Sequence, residues 1–138
     1  MPYPEPLVSP MRAELTDHGF NELKNSEEVD NAFSQMEGTT LLVINSVCGC
    51  AAGSARPGVV KSLAGDKKPN QLLTVFAGQD LDAVAKAREY CLPYPPSSPS
   101  IALFKNGELV HFVERLSIEG HTADMIADNL QGAYQAHC

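Results

Sequence analysis

Two cysteines separated by one glycine, Cys48-Gly49-Cys50, are the residues of this chain best suited to chemistry. A thiol attacks as its thiolate, and two neighbouring thiols can take a disulfide from a third sulfur and hand it on. Cysteines at i and i+2 reach the usual disulfide Cα separation of ~4.4–6.8 Å only if the backbone between them bends, and glycine makes that bend cheap. A ring so small is expected to be strained and readily reduced, which suits disulfide transfer better than structural stapling. The bland alternative, two inert thiols buried at a strand end, fits the glycine less well. Cys91 reads the other way, as a core cysteine on the apolar stripe of a helix. Cys138 is the last residue, either an auxiliary thiol or without a role, and stays outside the catalytic set. His18, His111, His121 and His137 show no ligand-like spacing, and no metal site is expected from them.

Composition bounds what such a pair could serve. The chain has 138 residues, 43% hydrophobic and 20% charged, which describes one ordinary globular domain over 1–138 with a complete core. A net charge of -7 argues against nucleic acid and anionic membrane as partners. Met1 to Pro6 has neither a basic nor an apolar signal region, and no apolar run approaches the ~18 residues that span a bilayer. A cytoplasmic monomer is therefore expected, and four cysteines in a reducing compartment point to redox work or a metal rather than a stapled scaffold.

The elements that must position the pair follow from periodicity. The proline-rich residues 1–9 read as an extended arm, and Met11, Leu15, Gly19 and Leu23 mark a helix through Pro10 to Asn25. Ser26, Glu27 and Glu28 open a second helix to about Glu37. Thr39 to Asn45 is a β-branched apolar run without alternation, the pattern of a strand covered on both faces. The cysteine pair follows it directly, and a helix is expected over Pro57 to Ala64. Leu72 to Phe76 is a second strand, and Asp80 caps a helix turning Leu81, Val84, Ala85, Arg88 and Cys91 inward. After the loop Pro93 to Pro99, a third strand runs from Ser100 to Phe104, Asn106-Gly107 makes a two-residue turn, and Glu108 to Glu114 returns antiparallel. Ser117 opens a last helix with Met125, Ile126, Leu130, Ala133 and Tyr134 on one face. The sum is an α/β fold: a mixed sheet of about four strands with helices on both faces.

A strand ending in Cys-x-Cys, Ser98-Pro99 ahead of a later strand, and Phe104-Lys105-Asn106-Gly107 together resemble the thioredoxin superfamily over nearly the whole chain. More narrowly, Asn45-Ser46-Val47-Cys48-Gly49-Cys50-Ala51-Ala52-Gly53 followed by Ala55-Arg56-Pro57 resembles the bacilliredoxins, bacterial proteins that reduce mixed disulfides between proteins and the small thiol bacillithiol. Ordinary thioredoxins carry two residues between their cysteines and a tryptophan just before them; this chain has one intervening residue and no tryptophan. The resemblance implies a three-layer thioredoxin-like domain with no bound cofactor. Its co-substrate would be a bacillithiol-type low-molecular-weight thiol, and its partners would be thiol-modified client proteins and a recycling reductase.

Cys48, the outer residue, gains most from free backbone N–H groups where the strand hands over to a helix, and is the expected nucleophile, as the resemblance also implies. Cys50 then resolves. A helix beginning only at Pro57 would leave the pair a loop away from the dipole, with Arg56 as the local positive charge instead. Gly49, Ser98 and Pro99 are the expected substrate contacts; Ser98-Pro99 matches the superfamily position of a cis-proline facing the redox loop, with backbone free to pair with an extended substrate. Two other functions compete. A protein disulfide isomerase or oxidase would use the same pair. A soft-metal-binding protein would add a ligand such as Cys138, although one intervening residue is tight for zinc.

Overall fold

In the computed structural model, which describes residues 2–34 and 36–138, the elements are α1 (Glu5–Thr16), β1 (Asn21–Glu22), α2 (Ser26–Ser34), β2 (Thr39–Asn45), a π-helical turn (Ala51–Ala55) running into α3 (Arg56–Ser62), β3 (Gln71–Phe76), α4 (Leu81–Tyr90), β4 (Ser100–Lys105), β5 (Glu108–Val113), α5 (Arg115–Ile118) and α6 (Ala123–His137). The sheet order is β1-β3-β2-β4-β5, with β1 and β2 parallel to β3, β4 antiparallel to β2, and β5 antiparallel to β4. β2 lies at the centre and is buried at every position, as its unbroken apolar run predicts. Its side chains alternate between two cores. Leu41 and Val43 face Leu15, Val59, Ile126, Leu130 and Tyr134, while Leu42 and Ile44 face Val29, Phe33, Ala83, Val84 and Ala87. The expected α/β architecture is present, with five strands among the described residues rather than about four. The addition is β1, whose two residues are too short to show a period.

Other boundaries differ for identifiable reasons. The expected arm over 1–9 is helical from Glu5, because Pro6 falls in the first turn, where its missing N–H costs nothing. The helix then stops at Thr16, ahead of Gly19 in a left-handed conformation at φ 92°, so Gly19 and Leu23 do not continue its stripe. In α2 the cap is Asn25: its Oδ1 accepts the Glu28 N–H at 2.8 Å while Glu28 Oε1 accepts the Lys24 N–H at 2.8 Å. The helix ends at Ser34, short of Glu37. Asp80 makes no side-chain cap, because its carboxylate takes Arg12 Nη1 at 2.7 Å, and α4 buries Ala83, Val84 and Ala87 while Leu81 is exposed. The last helix opens at Thr122, whose Oγ1 accepts the Met125 N–H; Ser117 belongs to the short α5, and Met125 is exposed. The Asn106-Gly107 turn forms as expected, with φ of 50° and 85°.

The close approach of α3 to α6 depends on Gly58. A Cβ there would lie 2.6 Å from Ile126 Cβ and 3.0 Å from the Ala123 carbonyl oxygen. Gly58→Ala therefore forces the helices apart, and denaturant melts should show a loss of about 1–3 kcal/mol despite alanine's better helix propensity.

Candidate active site

The cysteine pair sits where the central strand becomes a helix. Gly49 and Cys50 are already helical, and the π turn and α3 continue without a break to Ser62. Cys48 is thus the residue flanking a helix start, its carbonyl accepting the N–H groups of Ala51 at 3.0 Å and Ala52 at 3.2 Å. The expectation of a helix from Pro57 is corrected, and with it the alternative that the pair lies a loop away from the dipole. Arg56 donates its N–H to the Ala51 carbonyl, the bond that closes the π turn, and such turns recur at functional sites. The Cys50 N–H is placed 3.3 Å from Cys48 Sγ, and the Cys48 N–H donates to Ser46 Oγ at 3.1 Å. A sulfur holding a backbone donor at a helix N-terminus favours its thiolate. Cys48 and Cys50 are joined as a disulfide with Cα atoms 5.4 Å apart; both are half-buried and Gly49 is exposed.

Arg56 is buried rather than a surface cation. Its side chain is 1% exposed, and Nη1 donates both to Asn45 Oδ1 at 2.9 Å and to the Ser46 carbonyl at 2.7 Å. Its Nε lies 3.2 Å from Glu14 Oε1 without a hydrogen bond of good geometry. Asn45 in turn accepts the Ser46 N–H at 2.8 Å and donates to the Met11 carbonyl at 3.2 Å. A buried guanidinium therefore braces the two residues before the redox loop, and Ser46 passes that constraint to Cys48. The burial of Arg56 had no signal in the sequence, which offers it only as a local positive charge for the pair.

Ser98-Pro99 is cis. Ser100 pairs with Ile44, so the proline enters β4 beside the end of β2 from which the redox loop departs. Pro99 is buried and Ser98 half-buried. Arg115 Nη1 donates to the Ser98 carbonyl at 3.2 Å, a partner that sequence spacing did not suggest. Tyr94 stacks on Phe112 with ring centroids 4.5 Å apart.

The remaining cysteines are remote in different ways. Cys91 is 2% exposed, and burial pushes its thiol up to about 11. It should resist alkylation at neutral pH in the native protein and react once guanidinium unfolds the chain, as counted by intact mass. The same shift, with Tyr134 raised by burial to about 12, keeps both protons on the folded state where the unfolded chain would lose them. Thermal stability should accordingly fall as pH rises from about 9 toward 12. Cys138 ends α6, which runs beside the redox helix in the same direction: Ser54 Oγ donates to the His121 carbonyl, Ile126 packs on Gly58, and Ser62 Oγ lies 2.9 Å from Tyr134 Oη. Cys138 is therefore at the opposite end from Cys48, and the structure does not bring it to the pair as a third ligand or auxiliary thiol.

Among the described residues, no helix is long and apolar enough to cross a membrane. A family model described as disulphide isomerase matches residues 3–138. The chain is 64% identical to a bacilliredoxin of Cytophaga hutchinsonii, over 96% of this chain and 97% of that one. It is 58% identical to one of Halalkalibacterium halodurans, over 99% and 94% of the two chains. Among solved structures it is similar to a thioredoxin of Nicotiana alata (TM-score 0.57, 17% identity, 84% and 90% covered) and to oxidised mitochondrial thioredoxin 3 of Saccharomyces cerevisiae (0.55, 16%, 85% and 94%). At such identities these last two speak for the fold, which is thioredoxin-like.

Proposed function

Since the chain belongs to the bacilliredoxin family and is a thiol-disulfide oxidoreductase, we propose that it reduces mixed disulfides between proteins and a bacillithiol-type small thiol. The observation that carries the proposal is the helix start at Gly49, which gives Cys48 a backbone donor from Cys50 and leaves the pair partly open to solvent. Cys48, as thiolate, attacks the sulfur of the small thiol; a new S–S bond forms between them, and the client's sulfur leaves as thiolate and takes a proton. Cys50 then attacks Cys48 Sγ, closing the disulfide and releasing the small thiol, or a second small thiol performs this step instead. In the first route the dithiol supplies two electrons to the mixed disulfide, and a recycling reductase restores them. Gly49, Ser98 and Pro99 border the approach. No cofactor is required, and the reaction suits a reducing cytoplasm.

The test is to mix reduced protein with a client carrying bacillithiol on a single cysteine and follow both by intact mass. Loss of the thiol mass from the client, with its appearance on this chain or in solution, supports the proposal; an untouched client overturns it. The description of the matching family model favours one other reading, isomerisation of protein disulfides. Recovery of activity in a scrambled disulfide protein, with bacillithiol-modified client untouched, would favour that instead.

A further inference from the structure

We propose that the cavity between the Pro95–Ser98 loop and the start of α5 binds the small-thiol half of the substrate through a carboxylate on that thiol, held by Arg88 with Arg115. The inference rests on the small-thiol reading above and specifies which thiols the site prefers. The cavity measures about 440 Å³, the size of a small-molecule site, and its lining includes Arg88, Ser98, Glu114, Arg115 and Leu116. Its place in the fold brings it to the redox loop. Val113 pairs with Ile101 and Ser100 with Ile44, so the segments before β4 and after β5 lie at the sheet end where the Cys48 loop leaves β2. Adjacent strands are about 4.8 Å apart, and Ser98, which lines the cavity, leads into β4, one strand width from the end of β2 where that loop departs. A small thiol bonded to Cys48 can reach across such a span.

Charge decides what the cavity takes. Arg115 is already engaged: it pairs with Glu119, its Nη1 donates to the Ser98 carbonyl, and its N–H reaches Ser97 Oγ at 3.4 Å. Glu114 also lines the space. Arg88 differs. Among the described residues it makes no ion pair, and its buried Nε has no hydrogen-bond partner. A half-buried guanidinium left unmatched is costly, and its planar donor set fits a carboxylate in two-point contact. Leu116, 77% exposed, supplies apolar cover for the thiol's carbon chain. An acidic segment of the client would present the same carboxylate chemistry; the size of the cavity favours the small thiol.

The two sources separate if the client is held constant. One client protein is prepared with either mercaptosuccinate or 2-mercaptoethanol on its single cysteine, and kcat/KM for release is measured for each. Wild type should release the carboxylate-bearing thiol about tenfold faster, the size of one charge-assisted pair. Arg88→Gln should bring the ratio of the two rates close to one, and Arg88→Lys should restore part of it; added salt should lower the wild-type ratio. A ratio in Arg88→Gln equal to wild type overturns the proposal. Both rates falling together at constant ratio overturns it too, and points to a structural role or to the client's own acidic segment. If wild type releases neither thiol, the underlying reading falls with it.

Discussion

With Cys48 replaced by serine, the protein should remove no small thiol from a modified client; with Cys50 replaced by serine, one small thiol per chain should accumulate on Cys48. The asymmetry follows from which atoms do the work. A serine hydroxyl cannot form the S–S bond of the first step, so Cys48→Ser should lower the rate by on the order of 10³ or more. The group that favours the Cys48 thiolate is the N–H of residue 50, and Cys50→Ser keeps that N–H in place. The first step therefore survives while intramolecular release is lost, and the mixed disulfide on Cys48 outlives the client's departure. Intact mass after alkylation reads both outcomes. If Cys50→Ser carried no thiol while Cys48→Ser did, the assigned order of attack would be reversed.

The cysteine pair itself was legible in the residues, as were the surroundings set by local pattern. The unbroken run Thr39 to Asn45 shows as a central strand because burial on both faces removes alternation, and Asn106-Gly107 shows as a turn because few pairs tolerate two left-handed residues. What escaped reading depends on partners distant in sequence. Asp80 has the type and place of a helix cap, but Arg12, 68 residues away, takes its carboxylate. Arg12 is itself buried against the Phe76 ring, with Glu5 on its Nε. The helix start at Gly49 was hidden by Arg56-Pro57, which looks like a first turn; the π turn carries the helix through it by bonding the Arg56 N–H five residues back. Arg56 reads by sequence only as a local positive charge for the pair, and the fold shows it buried under the redox loop, with Arg115 holding the carbonyl before Pro99.

Arg56→Met should cost about 3 kcal/mol, lowering the melting temperature by on the order of 10 °C, and should slow the first exchange step by more than the loss of folded protein explains. Methionine fills much of the volume but leaves the Ser46 carbonyl without Arg56 Nη1, a buried acceptor whose loss costs ~1–3 kcal/mol, and leaves Asn45 Oδ1 with the Ser46 N–H alone. The effect on exchange is indirect, which makes Arg56 a positioning residue. Asn45 no longer fixes Ser46, Ser46 Oγ loses its hold on the Cys48 N–H, and the sulfur drifts from the Cys50 donor. A thiolate so released should titrate higher, so the pH profile of Cys48 alkylation should move upward in Arg56→Met. Arg56→Lys keeps a charge but cannot reproduce the donor set of a guanidinium, so it should recover stability only in part. A Cys48 profile identical to wild type in a folded Arg56→Met protein would confine Arg56 to holding the fold together. An upward shift in Arg56→Met, with the melt recovered in part by lysine, would tie the geometry beneath the loop to the reactivity of the sulfur above it.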